Sequence, residues 1–357
     1  MRVLIVDDSA FMRSAIRRIL EADKAITVVG EARNGQEGVD LAKSLKPDVV
    51  TLDVEMPVLD GLGALKLITK LPDAPAVMMC SSLTAEGSDA ALRALAGGAA
   101  DVIGKAPSAS QMGSIGPEII EKILAIGHAV RRRRERLASK PVPATAPRAE
   151  AASGQRGRAL RELRPNLVVV GSSTGGPPVL ELLLKGLKPG YAFPVVVAQH
   201  MPRPFTERMS SRLREVTGLD VRHVEDRMTI EPGAVYIAPG GTHTHIKRGP
   251  AGKIVLRTSD EPADHLYRPS VDVLFGGAAE VAGADALGIM LTGMGRDGAV
   301  GAQAIVDAGG TVLTQSEASC VVYGMPKAVD DLGISSASLD PAMLASALGA
   351  IGRRAAA

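Results

Sequence analysis

The chain has 357 residues, 46% hydrophobic and 22% charged, which suits about two globular domains of one to two hundred residues each. A net charge of +2 calls for no polyanionic partner, and two cysteines far apart in sequence, Cys80 and Cys320, form neither a disulfide framework nor a zinc set. The short apolar run after Met1 meets Asp7 and Asp8 too soon for a signal peptide, and no stretch approaches the length of a membrane helix; the expectation is a cytoplasmic protein with no nucleic-acid partner and no membrane insertion.

Aromatic residues make up 2% of the chain and tryptophan is absent, so the cores must rest on Val, Ile, Leu, Ala and Met, as parallel α/β sheets do. From the start to residue 125, short apolar runs at Val3–Val6, Ile26–Gly30, Asp48–Asp53, Ala76–Ser81 and Ala100–Ile103 read as strands. Between them Phe11–Leu20, Gln36–Leu45, Gly61–Thr69 and Ser88–Leu95 carry helical spacing, and Pro117–Ile126 opens a last helix. Strict alternation predicts a doubly wound parallel sheet.

In such a sheet the carboxyl ends of the central strands share one crevice. Asp7 and Asp8 follow the first strand and Asp53 ends the third, so three carboxylates crowd there, a costly arrangement unless a hard cation such as Mg²⁺ binds. Ser81 ends the fourth strand and Lys105 follows the fifth, adding a hydroxyl and an ammonium at the same rim. An aspartate beside a metal and a lysine suits phosphoryl transfer to a carboxylate. Each residue alone has a plainer role as a cap, a turn former or a surface charge; the combination at four strand ends is what carries the signal. The segments Val3–Ser9, Thr51–Gly61, Cys80–Thr84 and Lys105 together resemble a two-component receiver domain over residues 1–125. The resemblance implies a flavodoxin-like fold with Asp53 as phosphoacceptor and a sensor histidine kinase as phosphodonor. It also implies Asp8, Asp53 and the Glu55 backbone carbonyl as Mg²⁺ ligands with Asp7 in support, and Ser81 and Lys105 as the phosphate-sensing pair. Val102 stands where receivers commonly carry an aromatic residue, and Ala106 where a proline commonly follows the lysine.

Residues 126–164 read as a flexible linker rich in Arg, Pro and Ala, opening with the Arg-rich run 131–136, which is read as a solvated helix end rather than a nucleic-acid or membrane patch. About thirty such residues span about 30 Å. A second alternation occupies residues 165–352. Leu167–Gly171, Pro194–Gln199, Ala234–Ala238, Ala286–Leu291 and Thr311–Thr314 read as strands, with helices at Pro178–Leu187, Pro204–Val216, Val271–Val281 and Gly298–Ala308. A hairpin at Thr244–Lys247 and Lys253–Arg257 is expected on the rim. The fold class is therefore α/β, two doubly wound parallel-sheet domains joined by a linker.

Behind the first strand of the second domain stands Gly171-Ser-Ser-Thr-Gly-Gly176, in which Gly171-x-Ser173-x-Gly175 has the layout of a nucleophile elbow. A phosphate cradle or a helix cap is the simpler reading of that segment alone. A nucleophilic serine needs a base, and the base needs an acid to hold its tautomer. His200 projects past the apolar run Phe193–Gln199 and is the favoured base; His243, also behind a strand, is its rival, and His243 with His245 makes a poor metal pair without a third ligand. Asp297, in the Gly-rich loop after another buried strand, is the acid, with helix capping as its alternative role.

The segments Val170–Pro177, Ala198–Pro202, Val235–Gly241, Arg268–Phe275 and Leu291–Gly298 are similar to the chemotaxis protein-glutamate methylesterases. That resemblance implies a Rossmann-like catalytic domain with Ser173 rather than Ser172 as nucleophile, His200 as base and Asp297 as acid. Backbone N–H groups of Thr174 and Met294 would face the oxyanion, and no cofactor is implied in the esterase site. It further implies an esterase, switched on by phosphorylation, that removes methyl groups from glutamyl methyl esters of methyl-accepting chemoreceptors and also deamidates receptor glutamines. Two readings from other classes compete: a phosphorylation-controlled DNA-binding regulator, for which the second domain lacks a helix-turn-helix pattern, and a non-catalytic anion-binding module.

Overall fold

The structure, a computed structural model, describes residues 1–105, 115–138 and 163–354. It divides into two compact units, Met1–Val142 and Pro143–Ala357.

The first unit holds five parallel strands in the order β2-β1-β3-β4-β5: β1 Arg2–Val6, β2 Thr27–Ala32, β3 Val49–Asp53, β4 Ala76–Ser82 and β5 Asp101–Lys105. Helices α1 Ala10–Leu20, α2 Gly35–Leu45, α3 Gly61–Ile68 and α4 Ala85–Ala96 connect them. Each begins at a residue whose side chain accepts a hydrogen bond from the third helical N–H: Ser9, Asn34, Asp60 and Thr84. Such caps satisfy donors that the helix itself leaves unpaired, so each of these four helices starts where the loop before it supplies a short polar side chain.

The last helix of this unit, α5, runs from Gly116 to Ala138, through the start of the stretch expected as a linker. Ile119, Ile123, Ile126 and Val130 are buried along one face. The Arg-rich run is the largely exposed end of this helix, as expected, but it is also tied back to the domain: Arg131 Nη2 lies 2.6 Å from Asp48 Oδ2 and Arg134 Nη1 3.3 Å from Asp48 Oδ1, while Arg133 and Arg134 donate to the carbonyls of Ala74 and Asp73. Asp48 is far upstream at the head of β3, and that long-range pairing is what composition alone could not reveal.

The second unit is built on seven parallel strands in the order β15-β14-β13-β6-β7-β10-β8. These are β6 Leu167–Ser172, β7 Val195–Gln199, β8 Asp220–His223, β10 Ala234–Ile237, β13 Ala286–Met290, β14 Thr311–Gln315 and β15 Ala337–Leu339. Every residue of β6, β7 and β13 is buried, which is why they read as unbroken apolar runs. The expected elements are all present; β8 and β15, a polar edge strand and a three-residue one, lacked such a run. Helices α6 Gly176–Lys185, α7 Arg203–Thr217, α8 Val271–Ala282, α9 Ala299–Asp307, α10 Met325–Asp331 and α11 Pro341–Arg354 complete the unit, the last two unforeseen. The hairpin, β11 His243–Arg248 with β12 Ile254–Ser259, is joined by β9 Met228–Thr229 into a small antiparallel sheet. It buries Ile246 and Leu256 in the same core cluster as Leu274, Phe275 and Ala278 of α8, so it is part of the core rather than a rim ornament.

The chain lays β7, β8 and β10 to one side of β6 and then returns to lay β13, β14 and β15 on the other. The strand order thus reverses between β6 and β13. Open α/β sheets bind their ligands at that crevice, past the carboxyl ends of the strands, and the loops after β6 and β13 are the ones that carry Ser173 and Asp297.

Candidate active site

Strand β6 ends at Ser172, paired in register with Gln199 of β7, so Ser173 and His200 are the first residues past two neighbouring strand ends. The ladder continues beyond the strands: His200 N donates to Ser172 O at 3.0 Å and Ser173 N to Thr292 O at 3.0 Å. Gly175 follows at φ 78, a left-handed conformation that starts α6 and suits a residue without a Cβ. Gly293 faces Ser173 so closely that a Cβ there would lie 2.9 Å from Ser173 Cβ. The elbow is therefore clamped from the β13 side.

The two adjacent serines have different surroundings. Ser172 is fully buried and its Oγ donates to Gln199 Oε1 at 2.5 Å, while Gln199 Nε2 donates to the Ser173 carbonyl at 2.9 Å. Ser173 sits one residue further out at the crevice, flanked by the buried Thr174 and Met294 on the two loops. His200 Nε2 lies 2.8 Å from Asp297 Oδ2. A carboxylate only accepts, so Nε2 carries the proton. The other ring nitrogen, Nδ1, is buried and makes no hydrogen bond among the described residues, leaving a lone pair for use as a base. The ring stacks on Tyr267, centroids 4.3 Å apart at 12°.

Asp297 is held by the start of α8. Its Oδ1 accepts from Ser270 Oγ at 2.8 Å and Asp272 N at 3.1 Å, and Oδ2 accepts from Val271 N at 2.7 Å as well as from His200. Burial pushes the carboxyl pKa up, but the His200 contact and the backbone N–H groups of Val271 and Asp272 outweigh it and hold Asp297 well below the usual carboxylate range. Its neighbour Asp272 is shifted the other way, by burial and by the charge of Asp297.

His243, the rival base, has a different task. It is fully buried, its Nδ1 accepts from Ser270 N at 3.2 Å and its Nε2 donates to Pro262 O at 3.1 Å, and burial holds its pKa down. Both nitrogens are occupied, so it has no lone pair to offer a serine. Burial also pushes the thiols of Cys80 and Cys320 up to about 12, which removes both as competing nucleophiles. Gln199, Ser270 and Tyr267 were not singled out from the sequence. A polar Gln at the end of an otherwise apolar strand and a Ser opening an apolar helix were the available signals; Tyr267 carried none beyond its place before Arg268-Pro-Ser.

In the first unit, β1 and β3 pair with Val6 opposite Leu52, which brings Asp7 beside Asp53. Asp7, Asp8 and Asp53 each offer an oxygen within 4.8 Å of the others, a hard, charged donor set that fits a divalent cation such as Mg²⁺. Lys105 Nζ lies 2.8 Å from Asp7 Oδ2 and 2.7 Å from Asp53 Oδ2. Burial pushes Asp53 up, with Lys105 opposing; burial works against the Lys105 ammonium, but Asp53 and Asp7 outweigh it and raise its pKa. Ser81 is buried and its Oγ donates to Gly87 O at 2.7 Å, a bond it must exchange before it can donate to a group on Asp53. Glu55 is exposed just after β3, Val102 is buried in β5, and Ala106 lies outside the described residues.

A receiver-domain family model, described as "Response regulator receiver domain", matches residues 3–114, and one described as "CheB methylesterase" matches residues 168–348. The protein-glutamate methylesterase/protein-glutamine glutaminase 1 of Oleidesulfovibrio alaskensis is 41% identical, over 95% of this chain and 96% of its own length. Number 5 of Myxococcus xanthus is 42% identical, over 94% of each. The crystal structure of the Thermotoga maritima CheB methylesterase catalytic domain is matched at 37% identity and a TM-score of 0.50, covering 52% of this chain and 97% of that one. With full-length identity added to a receiver-like acidic crevice and a serine elbow at a switch point, the chain belongs to the protein-glutamate methylesterase/protein-glutamine glutaminase family, a receiver domain followed by a CheB methylesterase domain.

Proposed function

We propose that the second domain hydrolyses γ-glutamyl methyl esters on methyl-accepting chemoreceptors in the cytoplasm, releasing methanol, and that the first domain controls it through phosphorylation of Asp53. Ser173 Oγ attacks the ester carbonyl while His200 Nδ1 takes its proton. Asp297 holds the His200 Nε2–H and stabilises the imidazolium that forms. Backbone N–H groups of Thr174 and Met294 face the oxyanion, where one such donor is worth about 3–4 kcal/mol. The tetrahedral adduct collapses, His200 returns the proton to the departing methoxide, and methanol leaves. Water, deprotonated by His200, then attacks the acyl-enzyme; the bond to Ser173 Oγ breaks as His200 returns the proton to that oxygen, and the glutamate carboxylate is freed. A glutamine side chain passes through the same acyl-enzyme with ammonia as leaving group, which accounts for deamidation. No cofactor enters this chemistry.

The observation that carries the reading is the His200–Asp297 pair at 2.8 Å, with Nδ1 making no hydrogen bond among the described residues beside the strand end that presents Ser173. In the first domain Asp7, Asp8 and Asp53, with the Glu55 carbonyl, would hold Mg²⁺, which neutralises charge on a transferring phosphoryl group. Lys105 and Ser81 would then contact the phosphoryl oxygens, with a histidine kinase as donor. The test is methanol release from methylated receptor by the full chain, with and without a small-molecule phosphodonor and Mg²⁺. Ser173→Ala should abolish release and Ser172→Ala should retain it, and the phosphodonor should raise the rate only while Asp53 is intact. Release by Ser173→Ala at the wild-type rate would overturn the assignment.

A further inference from the structure

We propose that His265 and Ser270 are positioning residues for the ester-cleaving base, acting through Asp297; the proposal rests on the reading of Asp297 as the partner of His200. Ser270 is fully buried and joins three groups. Its Oγ lies 2.8 Å from Asp297 Oδ1, 2.9 Å from His265 Nδ1 and 3.3 Å from the Val273 N–H. Asp297 is ionised and only accepts, so the single Ser270 hydroxyl proton goes to it. The hydroxyl oxygen must then accept from both other groups. His265 Nδ1 is therefore the protonated nitrogen, and its tautomer follows from the hydroxyl's one proton.

The backbone of Ser270 is fixed in the same way. Its N–H donates to His243 Nδ1, and His243 in turn donates from Nε2 to the Pro262 carbonyl. The His243 and His265 rings meet edge to face, centroids 5.6 Å apart. His243 therefore sets where Ser270 stands, and His265 sets which way its hydroxyl points. Without the His265 donor, only the 3.3 Å contact from the Val273 N–H still orients the Ser270 oxygen, so its bond to Asp297 Oδ1 is held less firmly. Asp297 can then swing about its bond to Val271 N, and the His200 ring it holds loses its aim. The groups around Asp297 are His200, Ser270 and the α8 N-terminus with Asp272; His265 reaches it only through Ser270.

The experiment measures kcat and KM for methanol release by the full chain, together with the rate at which a fluorophosphonate labels Ser173. His265→Leu removes the donor, Ser270→Ala removes the relay, and His265→Asn restores a side-chain N–H at the place of Nδ1. His265→Leu should lower kcat and the labelling rate about five-fold with KM within about two-fold, as expected when one hydrogen bond is lost from the orienting chain. Ser270→Ala should lower both by about ten-fold or more, and His265→Asn should return to within about two-fold of wild type. His265→Leu with an unchanged kcat, a loss confined to KM, or an Asn variant no better than Leu overturns the proposal, whatever the unfolding temperatures of these variants. A wild-type chain that neither releases methanol nor is labelled overturns the esterase reading and this proposal with it.

Discussion

Replacing Asp297 by Asn tests the site and its support at once. The carboxylate accepts four hydrogen bonds, two on each oxygen: His200 Nε2 and Val271 N on Oδ2, Ser270 Oγ and Asp272 N on Oδ1. An amide has one acceptor atom, so either orientation sets its NH₂ against a backbone N–H. With the NH₂ at the Oδ1 position the Asp272 N–H is orphaned; at the Oδ2 position the Val271 N–H is. A buried donor left unpaired costs about 1–3 kcal/mol, and losing a negative charge at a helix N-terminus adds about 1 kcal/mol. The second unit should lose about 2–4 kcal/mol, roughly 5–15 °C in its unfolding temperature for a domain of this size. The catalytic loss is larger. Placed toward His200, the NH₂ makes Nε2 an acceptor and moves the ring proton to Nδ1, where a base is needed. The equivalent replacement in a serine-protease triad costs about 10⁴-fold in kcat, and a loss of about 10³–10⁴-fold is expected here. Calorimetry of the full chain and methanol release at saturating substrate check both. A variant with kcat within ten-fold of wild type would refute the tautomer argument, and an unchanged second transition would refute the hydrogen-bond count.

Because Asp297 is held below its ordinary pKa, the stability it contributes is fully present above the unfolded carboxyl value of about 3.9 and is lost as pH falls toward the folded value. The difference in unfolding free energy between wild type and Asp297→Asn should be flat from pH 7 to about 5 and shrink below about 4; a difference that grew in acid would reverse the sign assigned here. Asp48→Asn should release the end of α5, since that carboxylate accepts from Arg131, Arg134 and the Arg2 backbone N–H. With the Arg131 side chain 43% exposed, the cost should be about 1–2 kcal/mol, read as a lower first transition and faster amide exchange over residues 130–138. Asp8→Asn removes an exposed oxygen from the acidic cluster at little cost in folding. It should weaken Mg²⁺ binding in calorimetric titrations by about ten-fold or more, and phosphodonor labelling of Asp53 should fall with it.

Most of the fold was legible because a strand covered on both faces cannot hide: β13 is apolar throughout and β6 and β7 are apolar up to their last residues, Ser172 and Gln199, and the helices between them start at caps or prolines. What periodicity does not contain is which strand lies beside which. His200 and His243 both follow buried strands and look alike in sequence. They differ because β7 is hydrogen-bonded to β6, whereas β10, ahead of His243, is one strand further out. The same adjacency separates the serines, since Ser172 is the last rung of the ladder to β7 and is taken by Gln199, leaving Ser173 to the crevice. Asp297 belongs to the strand on the other side of β6, so nucleophile, base and acid come from three successive strands in space that are first, second and fifth in the chain order of this sheet. Local sequence can mark each of those strand ends as a candidate. Only the reversal of strand order between β6 and β13 makes them one site, and that reversal depends on contacts spread across the whole domain.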